Sequence, residues 1–302
     1  MKLINYYKYL FVLSGIILIL GIASLAVYGM HLGIDFKGGT VTELEFQDNF
    51  DLNKVKEVVA SQDIKDAQFQ TTGANGRGII IRTEALEKEQ HDKLSEALKS
   101  QVGNYEEKRY ESIGPVIGQE LKRKALYQLI LVSLGIIFYI AYAFRRVARP
   151  ITSWQFGVAA VVALLHDLLI VLGIFSLLGH YKGIEIDSLF VTAMLTVLGF
   201  SVHDTIVVFD RIRENLKIYA GKNIDFVVNH SISQTLVRSL NTSLTVLFVL
   251  LALLLFGGET IRYFVLALFI GVITGTYSSI FVASPILVIW QRWRQRKIYQ
   301  KA

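Results

Sequence analysis

The sequence predicts a polytopic α-helical membrane protein with six transmembrane helices and one α+β domain outside the membrane. Hydrophobic residues make up 53% of its 302 positions and collect in six blocks. Each block approaches or exceeds the roughly 20 residues that a helix needs to cross a bilayer. A mixed-charge stretch separates the first two blocks. The six blocks are Tyr9–Met30, Leu126–Phe144, Phe156–Gly179, Ser188–Phe209, Leu240–Phe256 and Tyr263–Trp290.

The first block follows Lys2 and Lys8 and could be taken for a cleavable signal peptide. Its apolar run is too long for that role, and no small-residue cleavage site follows it. We therefore interpret it as an uncleaved anchor.

The fifth block is short, and we expect its helix to recruit polar residues that precede it.

Lysine and arginine predict the orientation, because loops rich in them stay in the cytoplasm. The two short loops on the opposite face carry only Lys182 and Arg262. Both termini are therefore predicted to be cytoplasmic and residues 31–124 extracytoplasmic. Lys122–Lys124 is basic although outside, but long domains cross largely regardless of charge. The residues predicted at cytoplasmic ends are Lys2, Lys8, Arg145, Arg146, Arg149, Arg211, Arg213, Lys217, Lys222, Arg238, Arg292, Arg294, Arg296, Lys297 and Lys301.

Composition excludes several classes of function. The chain has a net charge of +6, but the outer stretch, residues 31–124, is net negative, with 14 basic and 17 acidic side chains. No basic stripe with interleaved aromatics exists, which argues against nucleic-acid binding. The chain has no cysteine, so disulfides and thiolate chemistry are excluded. Its six histidines are scattered, and we expect no metal site, no cofactor and no enzyme activity.

The outer stretch alternates strand and helix patterns. The order β-α-β-β-α-β predicts a ferredoxin-like domain, with a turn at Gly73–Gly76 and Asp51 as a helix cap. The predicted domains are thus residues 1–30 with the first helix, 31–124 outside, and 125–302 with five helices. The predicted elements are Val41–Phe46, Leu52–Ser61, Ala67–Thr72, Gly78–Thr83, Leu86–Val102 and Tyr105–Ser112.

Charged residues inside the apolar blocks are the strongest functional signal, because each costs at least about 2.5–3.5 kcal/mol at the bilayer centre. Asp204 lies in the fourth block beside His203, within reach of water from the cytoplasmic side. Arg238 is predicted to begin the fifth helix, with Asn241 and Thr242 one turn further on the same face. A guanidinium keeps its charge, so a carboxyl near it can bind and release protons while the counter-charge stays fixed.

A second His-Asp pair, His166 and Asp167, lies in the middle of the third block. Two interpretations remain open for Asp167: a member of the proton relay, or a hydrogen-bonding clamp between helices. His203 is likewise either a relay member or an interhelical donor. A serine protease site is not supported, because Ser201 and His203 are two residues apart and face different directions.

Small residues recur at intervals of four in the sixth block, at Gly271, Gly275 and Ser279. This spacing allows two helix backbones to approach closely. It predicts a packing face, which could also be a surface that slides during transport.

Four segments resemble the SecD/SecF family. Gly33–Thr40 is similar to its glycine-rich signature, and Glu111–Pro115 to the segment before its second helix. Ser201–Asn215 is close to the fourth-helix signature of the SecF type, and Arg238–Ser243 is similar to the start of its fifth helix. The resemblance covers nearly the whole chain.

The resemblance implies a subunit of bacterial protein secretion, in the inner (plasma) membrane. Such subunits pair with SecD, resemble halves of resistance–nodulation–division exporters, assist the SecYEG channel with YajC, and use the proton gradient to move preprotein. The family's buried aspartate and arginine correspond to Asp204 and Arg238. The chain would be the separate-subunit form.

The glycine-rich segment is expected to be a hinge loop formed by Gly33, Asp35, Gly38 and Gly39, because glycine tolerates unusual backbone angles. Two alternative functions remain. One is a small-molecule or lipid exporter half of the same superfamily, and the other is a membrane scaffold without proton coupling.

Overall fold

A computed structural model describes residues 7–64, 67–72, 76–145 and 151–299. The chain forms two compact units, one of Leu32–Leu126 and one of Met1–His31 with Tyr127–Ala302. Several sequence predictions fall outside the described residues: those on Lys2, Arg146, Arg149 and Lys301, and the turn at Gly73–Gly76 except for Gly76.

The outer unit contains a four-stranded sheet and two packed helices. Across the sheet, its strands stand in the order Gln68–Thr72, Gly78–Thr83, Gly39–Phe46 and Tyr105–Ile113, and all neighbours are antiparallel. The predicted order of elements is confirmed, and the ferredoxin-like assignment stays a prediction. The elements are α2 (Ile34–Lys37), β1 (Gly39–Phe46), α3 (Leu52–Ser61), β2 (Gln68–Thr72), β3 (Gly78–Thr83), α4 (Lys88–Gln101) and β4 (Tyr105–Ile113).

Alternating residues of β1 and β3 build the core of this unit. Leu44 and Ile79 are fully buried against Val55 of α3 and Leu98 of α4. Asp51 caps α3 as predicted, since its side chain accepts a hydrogen bond from the Asn53 amide at 2.9 Å. The period-two pattern of the strands therefore places the sheet beneath the two helices.

The expected hinge loop is partly wrong, because Asp35 lies in the short helix α2. Gly38 (φ 81°) and Gly39 (φ 132°) do adopt left-handed angles, whereas Gly33 (φ −75°) does not. A Cβ at Gly38 would lie 2.8 Å from the Pro115 Cα atom. The glycines thus allow a close contact with the start of the following helix, and the hinge role stays a prediction.

Among the residues that the structure describes, six helices are long and apolar enough to cross a membrane, which confirms the predicted number. The sixth span is continued by α10 after a π-helical segment, Ser279–Ala283. The helices are α1 (Tyr7–Tyr28), α5 (Pro115–Ala143), α6 (Ser153–Lys182), α7 (Ser188–Ile218), α8 (Ile224–Phe256), α9 (Arg262–Ser278) and α10 (Ser284–Tyr299).

The prediction that Arg238 begins the fifth helix is wrong, because α8 starts at Ile224 and Arg238 is well inside it. Hydropathy finds only the apolar second half of this helix. The first half is amphipathic and buries Val227, Val228 and Ser231. The expected recruitment of polar residues is therefore confirmed and extends over about four turns.

The membrane unit is centred on α6, α7 and α9. Half or more of the most apolar stretch is buried in α6, in α7 and in the sixth span (50–56%), against 17% in α1 and α8 and 6% in α5. α1 packs along α6 in parallel at a constant separation of 152 positions. The contacts pair Ser14 with His166, Gly21 with Gly173, Ser24 with Ser176 and Tyr28 with His180.

Candidate functional site

A cavity of about 300 Å³ lies between α7 and α8. It brings together three of the predicted site residues, His203, Asp204 and Arg238. The other lining residues are Phe200, Val207, Ser239 and Thr242.

Asp204 is 6% exposed, and its Oδ2 atom has no hydrogen-bond partner among the described residues. The Oγ atom of Ser239 is equally without a partner. Buried polar atoms in this state carry a desolvation cost of about 1–3 kcal/mol each. A polar cavity of this size has room for water, and the Asp204 carboxyl lies at its wall.

Arg238 is an exposed residue that lines the cavity. Among the described residues, no ion pair within 4.0 Å joins it to Asp204. Arg238 and Asp204 therefore line the same cavity without being in contact.

Of the polar residues that follow Arg238, Thr242 lines the cavity, and its Oγ1 donates to the Arg238 carbonyl at 3.0 Å. Asn241 is exposed and does not line the cavity, which corrects the prediction that both residues extend the site. The cavity lies on the side of α8 that carries Ser239 and Thr242, and Asn241 lies about 100° around the helix from Thr242.

Asp167 lies outside this cavity, in a closed cluster of hydrogen bonds. Its Oδ2 accepts from Ser201 Oγ of α7 at 2.5 Å and from Ser278 Oγ of α9 at 2.7 Å. Its Oδ1 lies 3.0 Å from His166 Nδ1. The other ring nitrogen of His166 is hydrogen-bonded to Ser14 of α1. Asp167 thus connects side chains from four helices and is 1% exposed.

The predicted small-residue face packs α9 against α7 in parallel, at a constant separation of 74 positions. A Cβ at Gly271 would overlap the Val197 side chain, and one at Gly275 would lie 3.0 Å from the Ser201 Cβ. At the third level, Ser279 Oγ is 2.8 Å from Thr205 Oγ1. The spacing thus coincides with close contacts between the two helices, and the sliding role stays a prediction.

Sequence reasoning missed Ser14 and Ser278 as members of the cluster around Asp167. A serine in an apolar helix is inexpensive and common, so it gives no strong signal by itself. The π-helical segment after Ser278 was also missed. Such segments occur often at functional sites, but they depend on packing rather than on a residue pattern.

The fold is that of a polytopic α-helical membrane protein. The family model "Protein export membrane protein SecD/SecF, C-terminal" matches residues 93–293, and the SecD/SecF GG motif matches residues 23–49. The chain therefore belongs to the SecD/SecF family, a family of multi-pass proteins of the bacterial plasma membrane. The resemblance stated from the motifs is confirmed.

Relatives named "Protein translocase subunit SecF" match nearly end to end. The one from Thermobaculum terrenum is 47% identical, covering 96% of this chain and 94% of the relative. The one from Anaerolinea thermophila is 42% identical, covering 95% and 94%.

Two crystal structures of SecDF match as well. SecDF from Thermus thermophilus, described as a translocon-associated membrane protein, has a TM-score of 0.82 at 34% identity. The match covers 97% of this chain and 39% of that one. SecDF in a super-membrane-facing form gives 0.70 at 33% identity, covering 99% and 40%. The chain thus spans about two fifths of the length of these SecDF chains.

Proposed function

We propose that this chain is the SecF-type subunit of a SecD–SecF complex, which uses the proton gradient to promote translocation and release of preproteins. The length relationship supports this proposal. The chain matches separate SecF subunits over nearly their full length but only about two fifths of the SecDF chains. A separate SecD would supply the remainder.

The observation that carries the proton step is the cavity shared by Asp204 and Arg238. A proton taken up by Asp204 removes its negative charge and weakens its attraction to the guanidinium. α7 and α8 can then repack, and release of the proton to the other side of the membrane restores the charge. His203 lines the same cavity and is a second proton carrier in this proposal.

The energy available is sufficient for a bias between two states. One proton crossing about 100 mV yields about 2.3 kcal/mol. A shift from 1:99 to 99:1 needs about 5.5 kcal/mol. A single proton therefore favours one arrangement without locking it, and a pH gradient adds to the bias.

The proposed partners beyond SecD are the SecYEG channel, YajC and the preprotein. The positive-inside pattern supports cytoplasmic termini and an extracytoplasmic outer unit. In that orientation the outer unit would meet preprotein as it leaves the channel.

The test is Asp204→Asn in membrane vesicles that contain the assembled complex. We expect gradient-driven preprotein translocation to be abolished while complex assembly is unchanged. Asp210→Asn is the matched control, since Asp210 lies on the same helix but is exposed and paired with Arg213 at 2.6 Å. We expect that variant to translocate normally.

Normal translocation by Asp204→Asn would contradict the coupling proposal and favour a scaffold. Loss of drug or lipid export with secretion intact would favour an exporter half. Repeating the assay with a sodium gradient in place of a proton gradient would identify the coupling ion.

A further inference from the structure

We propose that Asp167 is a positioning residue, which holds α7 in the rotation that directs Asp204 into the cavity. The inference rests on the proposed function, in which Asp204 binds the proton. It assigns Asp167 to the clamp interpretation that the sequence left open beside the relay.

Both carboxylate oxygens of Asp167 are hydrogen-bonded. One carboxylate oxygen accepts from Ser201 and Ser278, and the other from the adjacent His166. The carboxylate therefore has three donors from three helices. A group so fully hydrogen-bonded and enclosed is suited to orient its neighbours, because a proton on it would displace an existing donor.

Hydrogen bonds to neighbouring helices lie on both sides of Asp204 along α7. Ser201 lies three residues before Asp204, and Thr205 directly follows it. Ser201 is bound to Asp167, and Thr205 is bound to Ser279. Ser279 Oγ also reaches the Ser201 carbonyl at 3.4 Å. Both flanks of Asp204 are thus fixed, whereas its own Oδ2 atom is left without a partner.

The hydrogen-bond cluster around Asp167 extends to α1. His166 binds Ser14, and Tyr277 of α9 donates to the Leu10 carbonyl at 2.8 Å. These polar contacts add to the packing of α1 along α6 at Gly21 and Ser24. The chain continues from α1 into the outer unit, so the same cluster holds the helix that precedes that unit.

The test measures the reactivity of Asp204 itself rather than export. The full chain, assembled in membranes, is treated with dicyclohexylcarbodiimide, which modifies carboxyl groups in apolar surroundings. Modification of the Asp204 peptide is followed by mass spectrometry at several pH values. His203 and Arg238, the titratable groups that line the cavity with Asp204, are unchanged in every variant.

Asp167→Ala removes all three acceptor contacts, and we expect the rate of Asp204 modification to change at least about threefold. That factor corresponds to the loss of one average interhelical hydrogen bond in a membrane. Asp167→Asn keeps an oxygen for the two serines, and we expect it to restore the wild-type rate. Ser201→Ala is the milder variant if Asp167→Ala does not assemble, and it too should change the rate.

An unchanged rate in assembled Asp167→Ala, or in Ser201→Ala, would overturn the proposal. So would Asp167→Asn that modifies Asp204 normally yet loses gradient-driven export, because that result would make Asp167 a relay member. Failure of the proposed function is a separate outcome, since it would appear as normal export by Asp204→Asn whatever the modification rates.

Discussion

The membrane unit contains two His-Asp pairs on neighbouring helices, and their surroundings differ. In the pair on α6, both side chains are buried and every carboxylate oxygen is hydrogen-bonded. In the pair on α7, His203 is exposed and Asp204 has an unpartnered oxygen at a cavity. The same two residue types therefore form a closed cluster in one place and an open site in the other.

The difference shows that neighbours, rather than residue type, decide what an intramembrane carboxylate can do. Serines of α7 and α9 enclose Asp167, whereas α8 presents to Asp204 a guanidinium that is not in contact with it. A hydrogen-bonded carboxylate stabilises one arrangement of helices. The Asp204 carboxylate, at a cavity and with one oxygen unpartnered, has no such fixed set of hydrogen bonds.

The largest effect on stability is expected from replacing Asp167, and the same replacement of Asp204 should have no such effect. Asp167→Leu removes three hydrogen bonds to the carboxylate, and we expect it to lower the free energy of unfolding by about 2–5 kcal/mol. Asp204→Leu removes an incompletely paired carboxyl and should leave stability unchanged or raise it. Unfolding in sodium dodecyl sulfate would measure both, and equal losses would contradict the contrast between the sites.

An intermediate effect is expected where α9 packs on α7. Gly271→Val places a side chain into Val197, and overpacking of this kind costs about 1–3 kcal/mol. Gly199→Val in α7 is the matched control, because nothing lies within 4 Å of its Cβ position. The same unfolding measurement applies. If both variants lose equally, helix propensity rather than packing is responsible.

The smallest effect compares two buried serines. Ser201→Ala removes the hydrogen bond to Asp167, and we expect a loss of about 0.6 kcal/mol in unfolding free energy. Ser239→Ala removes a hydroxyl without a partner and should cost less than that. A larger loss for Ser239→Ala would show that the open site is held together more tightly than the structure indicates.

Much of the architecture was predictable. A long apolar segment in a bilayer forms a helix, because a helix makes all of its backbone hydrogen bonds within the segment. The six spans could therefore be predicted from composition. Asp204 and Arg238 were found for the same reason, since charge is costly there. The start of α8 was missed because its first half, which includes Val227 and Ser231, is amphipathic and too polar for a hydropathy signal.

The different surroundings of Asp167 and Asp204 could not be read from the chain. Local sequence presents both as a histidine followed by an aspartate in an apolar helix. Whether each carboxylate is hydrogen-bonded depends on the residues that neighbouring helices place beside it. Those residues are 34 to 111 positions away in the sequence. Hydrophobicity sets which segments enter the membrane, because transfer from water acts on each segment separately. Packing sets which polar groups find partners, because hydrogen bonds need atoms about 3 Å apart.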